Sequence, residues 1–168
     1  MENLSLNKMQ YCPKCGQFLL HKEINLEGII PYCANCDQLY FPHDAACIIA
    51  IIEYQNKLLL IKQEYLGDKY CLVAGHVKSG ANLEITLKEE IKEEVGLDLL
   101  SYAYLGSFYH EKSTNLMVGF YAKCQGDVCI NDEVNSYDLM NKNSATIALK
   151  DRSAGSYFLK LAIEKGLI

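Results

Sequence analysis

The sequence predicts a mixed α/β domain of the α+β kind, with helices on the faces of a mixed sheet, behind a small cysteine-held module. Three observations carry that prediction. Cysteines stand in two C-x-x-C pairs near the N-terminus. From Ala45 onward, short apolar runs alternate with turn residues, as strands and their connections do. One longer segment, Asn82 to Val95, switches to the period of an amphipathic helix.

The chain has 168 residues, enough for one ordinary domain and a small metal-held module. Half of it is apolar and 22% is charged, so a packed core is within reach and global disorder is excluded. A net charge of −5 argues against an extended nucleic-acid interface, although a few local cations suffice to bind a small phosphorylated molecule. Met1 to Gln10 lacks the basic flank and apolar run of a secretory signal. The longest apolar stretch, Cys47 to Ile52, is far too short to span a membrane. The expectation is a cytoplasmic protein whose thiols are zinc-bound or free rather than paired in disulfides.

Cys12, Cys15, Cys33 and Cys36 form C-x2-C-x17-C-x2-C. Two intervening residues let a tight turn aim both sulfurs at one ion. Seventeen residues fit a β-hairpin, turning near Glu27-Gly28, that brings the pairs together. Four thiolates make a closed tetrahedral site, which is structural zinc, and redox use of the pairs is the lesser alternative. Zinc ribbons often bind nucleic acid, but here Lys8, Lys14 and Lys22 face Glu2, Glu23, Glu27 and Asp37, so there is no basic stripe. The ribbon, residues 1–42, is expected to buttress its neighbour or a dimer interface. His21 and His43 read as surface residues. Cys47, Cys71, Cys124 and Cys129 lie in strand-like apolar contexts and read as buried free thiols.

The main domain is taken as residues 43–168. Ala46 to Tyr54 reads as a buried strand, Gln55-Asn56 as a turn and Lys57 to Gln63 as the hairpin partner. Tyr70 to Ala74 is a further strand. The helix from about Asn82 to Val95 closes at Gly96. Leu100 to Tyr109 and Leu116 to Cys124 read as strands, and Val128 to Ile130 is a candidate short one. Asn141 to Lys150 is too polar to assign, and Ala154 to Lys165 reads as a final helix.

The helix carries the chemistry. At about 100° per residue, Glu90, Glu93 and Glu94 fall within roughly one third of its circumference, with Glu89 extending the acidic face. Leu83, Leu87, Ile91 and Val95 form the adjoining apolar stripe. Glu84, Lys88 and Lys92 occupy a third face as solvated ion pairs. Charged runs are usually solvated, but nothing in the helix neutralises this cluster. Convergent carboxylates are how Mg²⁺ or Mn²⁺ is held for phosphoryl chemistry. The small-residue loop from Gly75 to Ala81 precedes the helix and suits close approach to a pyrophosphate.

The segment Gly75 to Leu97 resembles the Nudix box, G-x5-E-x7-R-E-U-x-E-E-x-G-U, where U is a bulky aliphatic residue. Gly75, Glu90, Ile91, Glu93, Glu94, Gly96 and Leu97 match in register. Ala81 stands where the box has its first glutamate and Glu89 where it has arginine. The resemblance implies a Nudix αβα sandwich from about Ala45 to the end. It also implies Mg²⁺ or Mn²⁺ held by Glu90, Glu93 and Glu94, with the Gly75 carbonyl beside them. The missing arginine and glutamate orient these carboxylates in the family, so their loss is expected to reduce activity. Glu89 should raise the pKa of its carboxylate neighbours in the metal-free protein.

The cysteine ribbon, then Tyr40-Phe41-Pro42, then the box resembles the NADH pyrophosphatase branch. Val73-Ala74-Gly75 is similar to its entry into the box, Glu133 to its downstream metal-binding glutamate, and Ser153 to Leu159 to the helix start near its bound nucleotide. The S-Q-P-W-P-F-P-x-S-L-M stretch of that branch aligns with Ser107 through Met117, of which only Ser107, Leu116 and Met117 are kept. In the replaced part, Phe108 and Tyr109 suit stacking, and His110 and Lys112 suit phosphate. The alternative for this stretch is a hairpin whose aromatics are core. The function implied is hydrolysis of the pyrophosphate bond of a nucleoside diphosphate derivative, with NADH or NAD giving nicotinamide mononucleotide and AMP. The catalytic set is Glu90, Glu93, Glu94 and Glu133; the substrate contacts are Phe108, Tyr109, His110, Lys112 and Ser153. The alternative is a catalytically impaired nucleotide-binding or regulatory module. The family also implies a homodimer.

Overall fold

The computed structural model describes residues 9–41, 43–149 and 151–168, and the chain divides into two compact units, Met1–Asp44 and Ala45–Ile168. Pro42 of the predicted boundary segment, Lys150 and most of the N-terminal stretch read for a signal lie outside the described residues. Among the described residues no helix is long and apolar enough to cross a membrane.

In the first unit, β1 (Leu20–Ile24), β2 (Gly28–Cys33) and β3 (Gln38–Leu39) form an antiparallel sheet in that order. A 3₁₀ turn at Asn25–Glu27 joins β1 to β2, so the hairpin bends just before Gly28. The apolar interior among the described residues is small: a cluster of Cys12, Leu19 and Cys33, with Cys36 and Tyr40 packed against it, and Ile30 buried besides.

The second unit is built around β4 (Ala45–Tyr54), a nearly continuous apolar run buried on both faces. Gln55 and Asn56, at φ 51° and 59°, make the tight turn whose twist suits a hairpin with β5 (Lys57–Lys62). The predicted strand Tyr70 to Ala74 is two strands: β6 (Tyr70–Cys71) pairs with β5, and β7 (Val73–His76) pairs with the first half of β4. Different partners on either side of Leu72 divide a run that looks continuous in sequence. The helix α1 (Leu83–Val95) follows. Asn82 caps it, its side chain accepting from the Ile85 N–H at 2.8 Å, and Gly96 closes it in the left-handed conformation. Next come β8 (Asp98–His110) and β9 (Asn115–Gln125), and β9 runs parallel to β4.

Two elements differ from expectation. Val128 to Ile130 is not a strand; its backbone follows the end of α1, Cys129 N–H donating to the Val95 carbonyl at 3.0 Å. Cys129 is accordingly exposed and Cys71 half-buried, whereas Cys47 and Cys124 are buried as predicted. The strand lies later, at β10 (Ser136–Met140), paired to β5, and the unassigned polar stretch holds α2 (Lys142–Ala148). α3 (Ala154–Glu164) completes the unit.

The sheet order is β10-β5-β4-β9-β8, with β6 and β7 paired beside it. Leu87, Ile91 and Val95 of α1 cover one face over Ile48, Ala50 and Ile52. Leu149, Phe158, Leu159 and Ala162 cover the other over Ile49 and Ile51. This is an αβα sandwich on a mixed sheet. Each fully buried aliphatic contributes about 1.5–3 kcal/mol of transfer free energy. The seat of α3 is tight: a side chain at Gly119 would overlap the Phe158 ring. Gly119→Ala is therefore expected to destabilise the unit by about 1–3 kcal/mol, read as a lower urea midpoint at unchanged slope. An unchanged midpoint would show that the ring has room to move.

Candidate active site

Gly75 is the penultimate residue of β7, just before the chain leaves the sheet after His76 for the loop into α1. The loop is tied by Val77 N–H to the Ala46 carbonyl at 2.8 Å and by Ala81 N–H to the Lys78 carbonyl at 3.0 Å. The apolar stripe of α1 seats the helix so that its acidic face turns toward Gly75. The Glu90 carboxylate packs against the Gly75 Cα so closely that a methyl there would occupy its place. Glycine is needed at this position for that approach.

Glu94 is 3% exposed, and its Oε2 has no hydrogen-bond partner. Burial pushes its carboxyl up to about 8, helped by Glu90 and Glu133 and opposed by the backbone of Ala74. Burial also raises Glu90, with Glu93 next, Lys78 opposing, and Glu133 and Glu89 adding to it. The expected effect of Glu89 is thus present at Glu90, but as the smallest of these contributions. Glu93 is exposed, 3.9 Å from the Lys78 ammonium. The predicted ion pairs of Glu84, Lys88 and Lys92 do not form; Lys92 instead bonds Asp98 at 2.8 Å and the Gly96 carbonyl at 2.9 Å. A cation at the helix C-terminus gains from the carbonyls left unpaired there.

Glu133 comes from a separate loop. That loop is tied to the end of α1 through Asn131 N–H and the Glu94 carbonyl at 3.4 Å, and Asn131 Oδ1 accepts from Glu133 N–H at 3.0 Å. Gly75, Glu90, Glu93, Glu94 and Glu133 therefore share one neighbourhood. Among the described residues, however, no three of their carboxylate oxygens converge as ligands around one point; only the cysteines do. The buried orphan oxygen of Glu94, whose carboxyl feels the Glu90 charge, is what a hard cation would satisfy.

Beside these carboxylates lies a cavity of about 600 Å³ lined by Gln63, Glu64, Tyr65, Asp132 and Glu133. A smaller one of about 250 Å³ shares Gln63 and Tyr65 and continues past Cys71 and Ala74 to Ser153. Gln63 Oε1 accepts from the Tyr65 hydroxyl at 2.8 Å and from Cys71 Sγ at 3.5 Å. Burial, followed by the Glu94 charge, drives the Cys71 thiol up to about 11, so it stays protonated. Gln63, Tyr65 and Cys71 escaped the reading of the sequence, because no local pattern marks a strand end or a short turn as cavity wall; Lys78 escaped it because only the fold brings it to Glu93. Ser153 caps α3, accepting from Ser156 N–H at 3.1 Å.

The remaining candidates lie elsewhere. Phe108 packs against Tyr157 and Phe158, with ring centroids 4.8 and 5.5 Å away, as part of the core under α3. Tyr109 is exposed, and His110 Nδ1 lies 2.8 Å from Ser113 Oγ. Lys112 sits exposed in the β8–β9 turn. None of the four lines either cavity.

In the N-terminal unit, the sulfurs of Cys12, Cys15, Cys33 and Cys36 all lie within 4.8 Å of one another. Cys12 to Cys36 is 3.9 Å and Cys15 to Cys33 is 3.5 Å, against about 3.8 Å between thiolates around tetrahedral zinc. The Tyr40 hydroxyl is 3.0 Å from Cys12 Sγ. Burial opposes ionisation of Cys12, but hydrogen bonds from Tyr40 and from the backbone of Cys15 and Lys14 bring it down to about 6. The donor set and its spacing fit zinc and are compatible with a zinc ribbon.

The family model of the NUDIX domain matches residues 41–161. The chain belongs to the Nudix family. Among curated Nudix relatives, NAD-capped RNA hydrolase NudC of Vibrio atlanticus (strain LGP32) is 31% identical over 119 residues, 70% of this chain and 43% of that protein. NudC of Pseudomonas fluorescens (strain Pf0-1) is 24% identical over 161 residues, 94% of this chain and 57% of that protein. The chain thus spans about half the length of the curated relatives it matches. A NUDIX hydrolase structure from Nitrosomonas europaea superposes with a TM-score of 0.76 at 19% identity, covering 94% of this chain and 92% of that one. An ADP-ribose pyrophosphatase from Streptococcus suis gives 0.62 at 17% identity, covering 74% and 92%. These structural likenesses establish the Nudix fold.

Proposed function

We propose that the chain is a metal-dependent Nudix hydrolase that cleaves the pyrophosphate bond of a nucleoside diphosphate derivative, with NADH or NAD giving nicotinamide mononucleotide and AMP. The observation that carries the reading is the buried Glu94, with an orphan oxygen, set among Glu90, Glu93 and Glu133 beside an open cavity. Glu90, Glu93 and Glu94 would hold Mg²⁺ or Mn²⁺, with the Gly75 carbonyl beside them. A divalent cation there neutralises pyrophosphate charge and lowers the pKa of water.

The chain's own residues do the rest. The loop after Gly75 admits the pyrophosphate near α1, and Lys78 brings one cation to a face that Ala81 and Glu89 leave without the family's arginine and first glutamate. A carboxylate oxygen of Glu90 or Glu133 takes the proton as water oxygen bonds to phosphorus and the bridging oxygen departs. Gln63 and Ser153 face the substrate from the cavity walls. Cys12, Cys15, Cys33 and Cys36 would hold a structural zinc ion. The name borne by the relatives adds an NAD-capped RNA 5′ end to the substrates to be tried.

Ala81 and Glu89, where the family has glutamate and arginine, favour a second reading: a nucleotide-binding Nudix module with impaired catalysis. The test measures AMP or phosphate-ester release with Mg²⁺ or Mn²⁺ from NADH, NAD, ADP-ribose, nucleotide sugars, dinucleoside polyphosphates and NAD-capped RNA. Wild type is run beside Glu93→Gln. Turnover of one class, lowered at least about 100-fold in the variant, is the expected result. No turnover by either protein, together with metal-dependent nucleotide binding, would establish the second reading instead.

A further inference from the structure

On the sheet face opposite α1, a cleft of about 370 Å³ opens between α2 and α3 and contains none of the candidate active-site carboxylates. Its floor is apolar, formed by Leu149, Leu159 and Ile163, with Tyr157 at one side. Its rim carries Asp151, Arg152, the one arginine in the sequence, and Lys160. The Lys160 ammonium is 3.8 Å from Glu164, so its charge is partly met. The Arg152 guanidinium makes no ion pair among the described residues. Asp151, the acid nearest in sequence, turns an oxygen to the backbone N–H of Arg152 at 3.0 Å.

The backbone at Arg152 is also unusual, with φ 61°, a left-handed conformation that glycine or asparagine adopts more cheaply. An arginine at this position brings a side chain with five donors to the wall of an apolar-floored cleft.

We propose that this cleft is a second ligand site, separate from the hydrolytic one, for a small amphiphilic anion: one phosphate or carboxylate joined to a flat apolar body. The head group meets the Arg152 fork, which matches either anion with two parallel hydrogen bonds. The body lies on Leu149, Leu159 and Ile163 beside the Tyr157 ring. The volume is that of a small-molecule pocket with a largely apolar floor, and of its three charged residues Arg152 is the one that fixes the anion.

The test is an amide NMR titration of the full chain without divalent cations, using AMP as the phosphate probe and benzoate as the carboxylate probe. Shifts are expected at Thr146, Leu149, Ser156 and Lys160. Arg152→Gly should weaken binding about tenfold or more, since a charge-assisted hydrogen bond is lost. Its thermal midpoint should stay level or rise, because glycine takes the left-handed backbone without cost. Arg152→Asn gives a second variant compatible with that backbone and should behave alike. Binding of AMP alone, benzoate alone or both supports the site and sorts phosphate from carboxylate preference. The proposal is overturned if neither probe binds wild type, if both variants bind as wild type does, or if the shifts centre on Gly75, Glu90 and Glu133.

Discussion

Glu94→Gln is expected to stabilise the protein in magnesium- and manganese-free buffer while removing the hydrolytic turnover proposed for it. The carboxyl is nearly inaccessible, and burial lifts its pKa from 4.5 to about 8. A raised folded-state pKa means the native state holds its proton more tightly than the unfolded chain. The stability this group permits is fully present below pH 4.5 and is lost as pH rises toward 8. At pH 7 the penalty removed by the neutral amide is about 3 kcal/mol, an order-of-magnitude figure. Urea unfolding at pH 5, 7 and 8 should show the variant gaining on wild type as pH rises. Added Mg²⁺ should then narrow the gap by stabilising wild type alone. A variant less stable than wild type at pH 8 would mean that Glu94 is satisfied in the native protein, and the cation-site reading would lose its main support. Turnover should fall by at least about 100-fold, because a carboxylate set for charge neutralisation would be incomplete.

The second large effect concerns the ribbon. Cys33→Ser, or removal of zinc by a strong chelator, is expected to unfold the N-terminal unit and leave the other folded. Cys33 is fully buried, and apart from cysteines the buried side chains among the described residues of that unit are Leu19, Ile30 and Pro31, with Tyr40 packed against Leu19 and the cysteines. So little apolar burial cannot offset the conformational entropy of ordering these residues. Structural zinc supplies roughly 10–16 kcal/mol in small thiolate modules, and that binding energy is folding energy. Hydrogen exchange read by mass spectrometry is the measurement. Amides of β1 and β2 should lose protection, while those of β4, β9 and α1 keep theirs. Retained protection in β1 and β2 would show that the hairpin stands without metal.

Much of this molecule follows from local rules that the residues state outright. The paired cysteines come together because each C-x2-C is a turn and the residues between are a hairpin. α1 begins at Asn82 and stops at Gly96 because a side-chain cap and a left-handed glycine are local devices. The β4–β5 turn at Gln55-Asn56 belongs to the same class. The misses share a different cause. β10 has polar and exposed positions along an edge strand, and its pairing to β5 joins residues more than seventy positions apart. α2 has no broad apolar stripe; it buries only Ala145. The split at Leu72 reflects two partners, which no single run can announce.

The candidate site divides along the same line. Helical period alone determined that Glu90, Glu93 and Glu94 share a face, and the match in register from Gly75 to Leu97 determined the family. Period could not say that Glu94 would be buried and Glu93 exposed, since that depends on where β7 and the Glu133 loop lie. Nor could it bring Gln63, Tyr65 and Cys71 to the cavity, or turn Phe108 into the core under α3. Periodicity and spacing act through bonded neighbours, so the sequence by itself determined the ribbon, the acidic helix and the family. Burial and charge act through space between distant segments. Only the tertiary structure therefore decided which carboxylate is lifted to about 8, which walls form the cavity, and that a lone arginine overlooks a second cleft.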